Sequence, residues 1–507
     1  MTYFTAFTSG YLPILGLSFA SLYLIYLGAT VIYNLYFHPL SKFPGPASRT
    51  GVHAGDYWEL YKGSHPQSVK ALHEKYGDVV RIRPDSLTFD TAAAWKDIYG
   101  MRPGKSQLQK DPQFYRITGG TKTDIIFSND ADHARMRKLL SHAFSDSALR
   151  QQEDLLTPYF ELLVSRLKDQ IDGPNKGKVD IKNWYNFLTF DIIGDMSFGE
   201  SFHALEAGEY HKWMANLFNG IKYGRIMAIA SFYQPAKLFL TALVKFVPAI
   251  AKAREEHLSF CKKKTEARLD MKTDRKDFMS YILRHNDEKG MSREELMSTS
   301  ELLIIAGSET TATLLSGLTY FLLQNPKVYA KVKEETRSAF QSSEEITLTS
   351  TGQLPYLQAC IEEALRMYPP VPIALPRRTK PEGDVIGGVF VPGNTSVAVS
   401  QLSTYCSTAN FHEPERFVPE CWLLNPPEEF NRDVKESLNP FSTGPRNCIG
   451  KNLAYNEMRS VMARILWHFD MRLWDETQAW MDQKVYFMWE KPALHVVLSH
   501  RADRSSI

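Results

Sequence analysis

Two hydrophobic stretches stand apart from the rest of the chain. From Tyr11 to Ile32 the residues YLPILGLSFASLYLIYLGATVI carry no charge, and no Asp, Glu, Lys or Arg precedes Lys42. As a helix rising about 1.5 Å per residue, that run is long enough to cross a hydrocarbon layer of about 30 Å. A cleaved leader would have a basic start and a shorter apolar core. A helix buried in a protein core seldom has so long an uncharged surround. The second stretch, LLIIAGSETTATLLSGLTYFLL, begins at Leu302 and is apolar around most of its circumference. Ser292 with Glu295 three positions on is a capping box, so one long helix is predicted from there through the middle of the domain.

Between and around these, the pattern changes period. GDVVRIRPDSLTFD alternates and is rich in β-branched residues, the signature of short paired strands. DHARMRKLLSHAF is amphipathic at helical spacing, IKNWYNFLTFDIIGDMSFG carries an apolar stripe, and Pro326 is placed to open a further helix. PEGDVIGGVFVPGNTSVAV has the Gly and Pro punctuation of hairpins. The chain is therefore predicted to be mainly α with a small β portion. HPLSKFPGPASR, with prolines at 39, 44 and 46, must end the first helix and start a stiff extended segment. No repeat or composition break follows. The division predicted is a membrane anchor over 1–36, a proline-rich strap over 37–47 and a single domain over 48–507.

Composition narrows the function classes. The 59 basic and 57 acidic residues of the 507-residue chain nearly cancel, which argues against a nucleic-acid binder driven by bulk charge. The cysteines, Cys261, Cys360, Cys406, Cys421 and Cys448, are scattered. They form neither a disulfide ladder nor a four-ligand zinc cluster, and a reducing compartment is expected for the domain. Lys42 and Arg49, the first charges after the apolar run, favour a cytoplasmic carboxyl side.

Three constellations carry chemistry. Ala306, Gly307, Ser308, Glu309, Thr310 and Thr311 place hydroxyls and a carboxylate inside an apolar helix, where such groups must be hydrogen-bonded or used. Thr310 can bond back to the Ala306 carbonyl and loosen a turn, while Gly307 leaves room for something flat against the backbone. A polar helix–helix contact and a proton-delivery groove both fit this stretch. Glu363 and Arg366 in IEEALRMYPP are three apart and lie off the apolar stripe, as solvated ion pairs often do. The third is FSTGPRNCIG, in which Phe441, Gly444, Arg446, Cys448 and Gly450 surround a cysteine with turn formers. Cys448 could be a packing residue, a nucleophile or a metal ligand. No local context singles out a histidine base for a nucleophile. A thiolate ligating iron beneath a macrocycle would account for the small residues, with Arg446 suited to a carboxylate of that macrocycle.

Taken in their order along the chain, these three motifs resemble those of the cytochrome P450 superfamily of haem-thiolate monooxygenases. The chain looks most like microsomal members from filamentous fungi, over essentially residues 37 to 500. The resemblance implies the P450 fold after a transmembrane helix, haem b (iron protoporphyrin IX) held by Cys448, and Glu309 with Thr310 as an acid–alcohol pair beside Ala306 and Gly307. It further implies that Arg446, Arg377, His133 and Arg137 hold the haem propionates, His133 replacing the usual tryptophan, and that Glu363 and Arg366 form a buried structural pair. Electrons would come from NADPH through a separate cytochrome P450 reductase, docked near Arg135, Lys138, Lys435 and Lys451. The body would be a monomer on the cytoplasmic side of the endoplasmic reticulum, anchored once. The expected reaction is hydroxylation or epoxidation of a hydrophobic terpenoid, polyketide or indole-derived metabolite. A small aromatic or xenobiotic acid, or a rearrangement without oxygen insertion, is the alternative. The segment before Asp124 to Phe127 and the run from Trp213 to Val247 are expected to roof the pocket, which Val371, Ile373, Ala374, Phe487 and Met488 would line.

One departure stands out. The family usually completes the Glu–Arg pair with an arginine where this chain has Cys421, in FVPECW. The expectation is that Arg416 substitutes or the network is satisfied otherwise, and that Cys421→Arg would be at least as stable as the parent.

Overall fold

The computed structural model describes residues 2–117, 124–210, 213, 248–286, 290–474 and 479–502. Helices dominate, and those that build the site are α1 (Thr2–Ile32), α2 (Asp130–Ala143), α3 (Ile181–Phe198), α4 (Arg293–Gln324), α5 (Pro326–Ala339), α6 (Pro355–Met367) and α7 (Lys451–His468).

Helix α1 runs on through a π-helical turn, Tyr33–Phe37. The stretch Leu17–Phe37, of 21 residues, is long and apolar enough to span a membrane and is almost wholly uncovered by the rest of the chain. Its end is tied down: Asn34 donates to the Gly51 carbonyl at 2.9 Å, and the buried Arg81 donates to the Asn34 carbonyl at 2.8 Å. The strap that follows is not extended throughout. Residues 38–43 fold into turns that bury Leu40 and Phe43, and only the stretch around Pro44 to Pro46 is extended, accepting from Arg81 N–H. Apolar side chains inside the strap explain the difference, since burying them outweighs the stiffness that its prolines impose.

Helix α4 passes the same length and composition test as a membrane span, yet two thirds of its apolar window is buried inside the body. It is the core helix. The predicted capping box is present, with Ser292 accepting from Glu295 N–H and Glu295 from Ser292 N–H. Helix α3 packs along α4 and is buried from Trp184 to Phe198 on every side, more than the single apolar stripe expected. Thr189 on α3 donates to the Ser308 carbonyl at 2.8 Å, and the position a Cβ would take at Gly307 is filled by Ile193. Pro326 opens α5 where a missing N–H leaves no bond unmade.

Strands β1 (Val79–Arg83) and β2 (Ser86–Phe89) pair antiparallel, and with β3 (Gln109–Lys110), β5 (Arg377–Arg378) and β8 (Ser396–Val399) form a sheet in the order β1-β2-β8-β5-β3. Strands β4 (Lys178–Asp180), β9 (Phe469–Leu473) and β10 (His495–His500) form a second sheet with β10 central, and β6 (Asp384–Ile386) and β7 (Val389–Val391) a hairpin turning at Gly387 and Gly388. The first sheet delivers Arg377 and Lys110 side by side in register.

Candidate active site

The loop before α7 is shaped by one obligatory glycine. Gly444 sits at φ 73°, and a Cβ there would lie 2.0 Å from the Tyr99 carbonyl oxygen. No other residue permits the crossing. Beyond it Asn447 N–H bonds to Gly444 O at 3.1 Å and Cys448 N–H to Phe441 O at 2.8 Å, which pins the cysteine backbone. Phe441 is half-buried, its ring 5.1 Å from that of Tyr455. Cys448 presents accessible surface, yet protein surrounds it closely enough for burial to push its thiol up; the Gly450 N–H, Arg137 and Lys451 oppose that rise. A thiol of this kind favours the anion once a cation binds it.

Arg137, expected to hold a propionate, lies against the cysteine loop. Its guanidinium grips the cysteine loop, donating to Asn447 O at 2.6 Å and Asn447 Oδ1 at 2.8 Å. One turn earlier on α2, His133 belongs to a different group. Burial, then Arg446, Lys110 and Arg137, push its imidazole down to about 3, so it is neutral. Lys110, absent from the sequence-derived set, is pushed down to about 6 by burial and by the charges of Arg377 and Arg446. Arg377 is buried with its Nε unpartnered. Arg446 has partners: Ser128 O at 3.0 Å, Asp130 Oδ1 at 2.7 Å and Ile125 O at 3.4 Å. Three basic side chains with one orphaned buried N–H, raised in energy by each other's charge, suit a ligand bearing carboxylates beside Cys448. The residues present therefore fit a haem.

On α4 the Thr310 hydroxyl donates to the Ala306 carbonyl at 2.6 Å. Ser308, Thr313 and Ser316 make the same backward bond at 2.7 Å each, and the α-helix is uninterrupted, so the loosened turn expected at Thr310 does not form. What marks Thr310 is exposure. It is half-buried and Ala306 is exposed, on a helix otherwise largely enclosed. The missing side chain of Gly307 serves the α3 contact, where Ile193 lies, and not a groove. Glu309 is buried and forms an ion pair with Lys491, whose side chain is almost wholly covered. Lys491 was invisible in the sequence because 182 positions separate the two.

Glu363 and Arg366 are buried, as the family resemblance implies, and not solvated as their spacing alone would allow. Arg366 donates to both Glu363 oxygens at 2.8 Å and to the carbonyls of Tyr405, Pro414 and Arg416. The absent second arginine is replaced by N–H donors. Val418 N–H reaches Glu363 Oε1 and the Trp422 indole reaches Oε2, each at 2.9 Å. Arg416 contributes only its carbonyl; its guanidinium faces Glu413 at the surface. Because four N–H donors already occupy the Glu363 carboxylate, Cys421→Arg would set a second guanidinium beside Arg366 with the lone pairs of Glu363 already taken. Contrary to the sequence expectation, this variant should be less stable than the parent, by about 1–3 kcal/mol, and unfold at a lower temperature. Thermal melts of the two holoproteins decide the matter.

Among the described residues one further cluster has metal-binding composition: His257, Cys261 and Glu301. Trp213 N–H donates to His257 Nδ1 at 2.8 Å, which leaves the imidazole proton on Nε2, where Glu301 accepts it at 2.6 Å. Both ring nitrogens are thereby used. Trp213 itself packs among Phe190, Phe202 and Phe260, a core position and not a pocket roof. The rest of the expected roof, residues 214–247, and the segment at 118–123 lie outside the described residues. Ile373 and Met488 are buried, and Val371, Ala374 and Phe487 half-buried. Arg135, expected at a docking face, is committed to Glu295 at 2.6 Å and Asp132 at 3.0 Å, whereas Lys138 and Lys451 are exposed.

The cytochrome P450 family matches residues 47–497, and the chain belongs to it. It is 42% identical over 474 residues to the cytochrome P450 monooxygenase astJ of Aspergillus oryzae, covering 93% of this chain and 94% of that one. Similarity to the cytochrome P450 monooxygenase astA of Talaromyces wortmannii is 41% over 488 residues, with 96% and 97% covered. The trichothecene C-4 hydroxylase of Trichoderma arundinaceum is 42% identical over 481 residues, with 93% and 94% covered. The protein is thus a P450 monooxygenase that uses haem with thiolate ligation and electrons from a separate reductase.

Proposed function

We propose that this enzyme inserts one oxygen atom of O₂ into a hydrophobic fungal secondary metabolite of terpenoid, polyketide or indole-derived type. Cys448 is the iron ligand, and Arg377, Arg446, Lys110 and His133 receive the propionates. The observation that carries this assignment is on α2: within one turn, His133 faces the basic cluster while Arg137 clamps the loop that holds Cys448. One helix thereby sets the cysteine against the anion-binding group. Haem, when bound, supplies the oxygen activation and the protein supplies position and charge.

Thr310 is the residue that offers a hydroxyl toward bound oxygen, with Ala306 small enough beside it to leave access. Its bond to the Ala306 carbonyl fixes the rotamer, so the oxygen lone pairs point outward from the helix. Thr310→Ala should leave substrate binding intact and lower product formed per NADPH by at least about tenfold, the electrons appearing as peroxide or water. Parallel assays of NADPH, peroxide and product measure it; unchanged coupling would remove Thr310 from the reaction.

Support for hydroxylation comes from the trichothecene C-4 hydroxylase at 42% identity, and support for an apolar substrate from the aliphatic and aromatic character of Val371, Ile373, Phe487 and Met488. Residues 1–36 anchor the enzyme once in the endoplasmic reticulum membrane with its body on the cytoplasmic side, where NADPH–cytochrome P450 reductase meets exposed Lys138 and Lys451. The reduced, CO-treated spectrum tests thiolate ligation. A screen of fungal metabolite fractions for a substrate-induced spin-state shift, followed by product identification with reductase, tests the substrate class.

A further inference from the structure

The ion pair between Lys491 and Glu309 is built from parts that ordinary surface pairs lack. The Lys491 side chain is almost wholly covered, and its ammonium also donates to Thr313 Oγ1 at 2.6 Å. Thr313 lies one turn beyond Glu309 and is itself fixed by donating to the Glu309 carbonyl at 2.7 Å. The chain on either side of the lysine is pinned, which fixes where its side chain starts: Trp489 Nε1 donates to Pro369 O at 2.7 Å and Leu494 N–H to Asp180 Oδ1 at 2.9 Å. The second carboxylate oxygen, Glu309 Oε2, is buried with no partner. Glu309 is thus a half-satisfied buried carboxylate, held on the Thr313 side and adjacent in sequence to Thr310.

We propose that Lys491 is a positioning residue for proton delivery: it holds the Glu309 carboxylate toward Thr313, and this ion pair must open before Glu309 can pass a proton toward Thr310. The inference rests on the reading of Glu309 and Thr310 as an acid–alcohol pair. Other groups near the pair leave this assignment standing. Lys182 acts on Lys491 only at longer range and is paired with Asp180 at 3.4 Å. The phenols of Tyr210 and Tyr368 feel the Glu309 charge but are kept neutral, first by burial. Burial pushes the Lys491 ammonium down while Glu309 holds it up, so the pair survives through its partner.

A buried carboxylate stripped of its counter-charge takes up a proton. Lys491→Met and Lys491→Gln, two neutral variants in case one fails to fold, should therefore show a protonated-carboxyl stretch in the infrared spectrum of the holoprotein. The parent and Lys491→Arg should lack it, as should the double variant K491M/E309Q. The ratio of product to NADPH in the neutral variants should also acquire an inflection in the neutral pH range that the parent and K491R do not show. Neutral variants without the carboxyl band and with a parent-like pH profile would overturn the inference. So would K491R behaving like K491M, since a purely steric role predicts that. Failure of the oxygenase reading would show differently, as a parent that forms no product with reductase, and the infrared comparison would still decide whether Lys491 governs Glu309.

Discussion

Cys448→Ser should fold and yet lose the red-shifted Soret band of the reduced CO complex, with product formation falling below detection. The loop does not depend on sulfur for its shape: Gly444 crosses the Tyr99 carbonyl, Cys448 N–H is bonded to Phe441 O, and Arg137 grips Asn447. A serine hydroxyl fits the same backbone but stays protonated at neutral pH, so the strong anionic donor is lost while the basic cluster remains. The expected combination is a parent-like melting temperature with an altered haem spectrum. A variant that kept the parent spectrum and oxidised substrate would end the assignment of Cys448 as ligand.

Arg366→Ala should have the largest effect on stability. That guanidinium holds Glu363 with two bonds and gathers the carbonyls of Tyr405, Pro414 and Arg416. Its removal leaves a buried carboxylate with only Val418 N–H, the Trp422 indole and a weak Cys421 thiol contact, and strips three carbonyls of their donor. Breaking such a pair costs about 3–5 kcal/mol, a large share of a domain's net stability. Expression should give little holoprotein, measured as haem absorbance per polypeptide. Glu363→Gln, which keeps the acceptor oxygen and removes the charge, should lose less. Equal haem content in Arg366→Ala and the parent would show that the pair is dispensable.

What could be read from the sequence was whatever local chemistry decides. Ser292 and Glu295 announce a helix start from three positions apart, Pro326 marks the next, and the Thr310 back-bond needs only one turn of helix. The loop glycine at 444 was recognisable as a turn former, although the reason for it, a carbonyl at Tyr99, lies far off in the chain. Features created by folding were hidden. Lys491, Lys110 and Trp422 reach their partners from distant segments with no spacing to betray them. Gly307 looked like a gap beside a ligand because periodicity cannot say which neighbour a face meets, and here that neighbour is Ile193. The spacing of Glu363 and Arg366 alone could not place them, since a motif of opposite charges at helical spacing reads alike at a surface and in a core; their burial came from the family resemblance.

The knot at the foot of the apolar helix bears on how the enzyme sits at a bilayer. Asn34 belongs by pattern to the helix but by hydrogen bonding to the body, where Gly51 and Arg81 hold it. If the helix crosses a bilayer, these two bonds tie the tilt of the body to the tilt of the helix. Trimming the chain after residue 36 to obtain a soluble enzyme would pull out Asn34 and leave a buried arginine short of one acceptor; cutting ahead of Asn34 spares the weld.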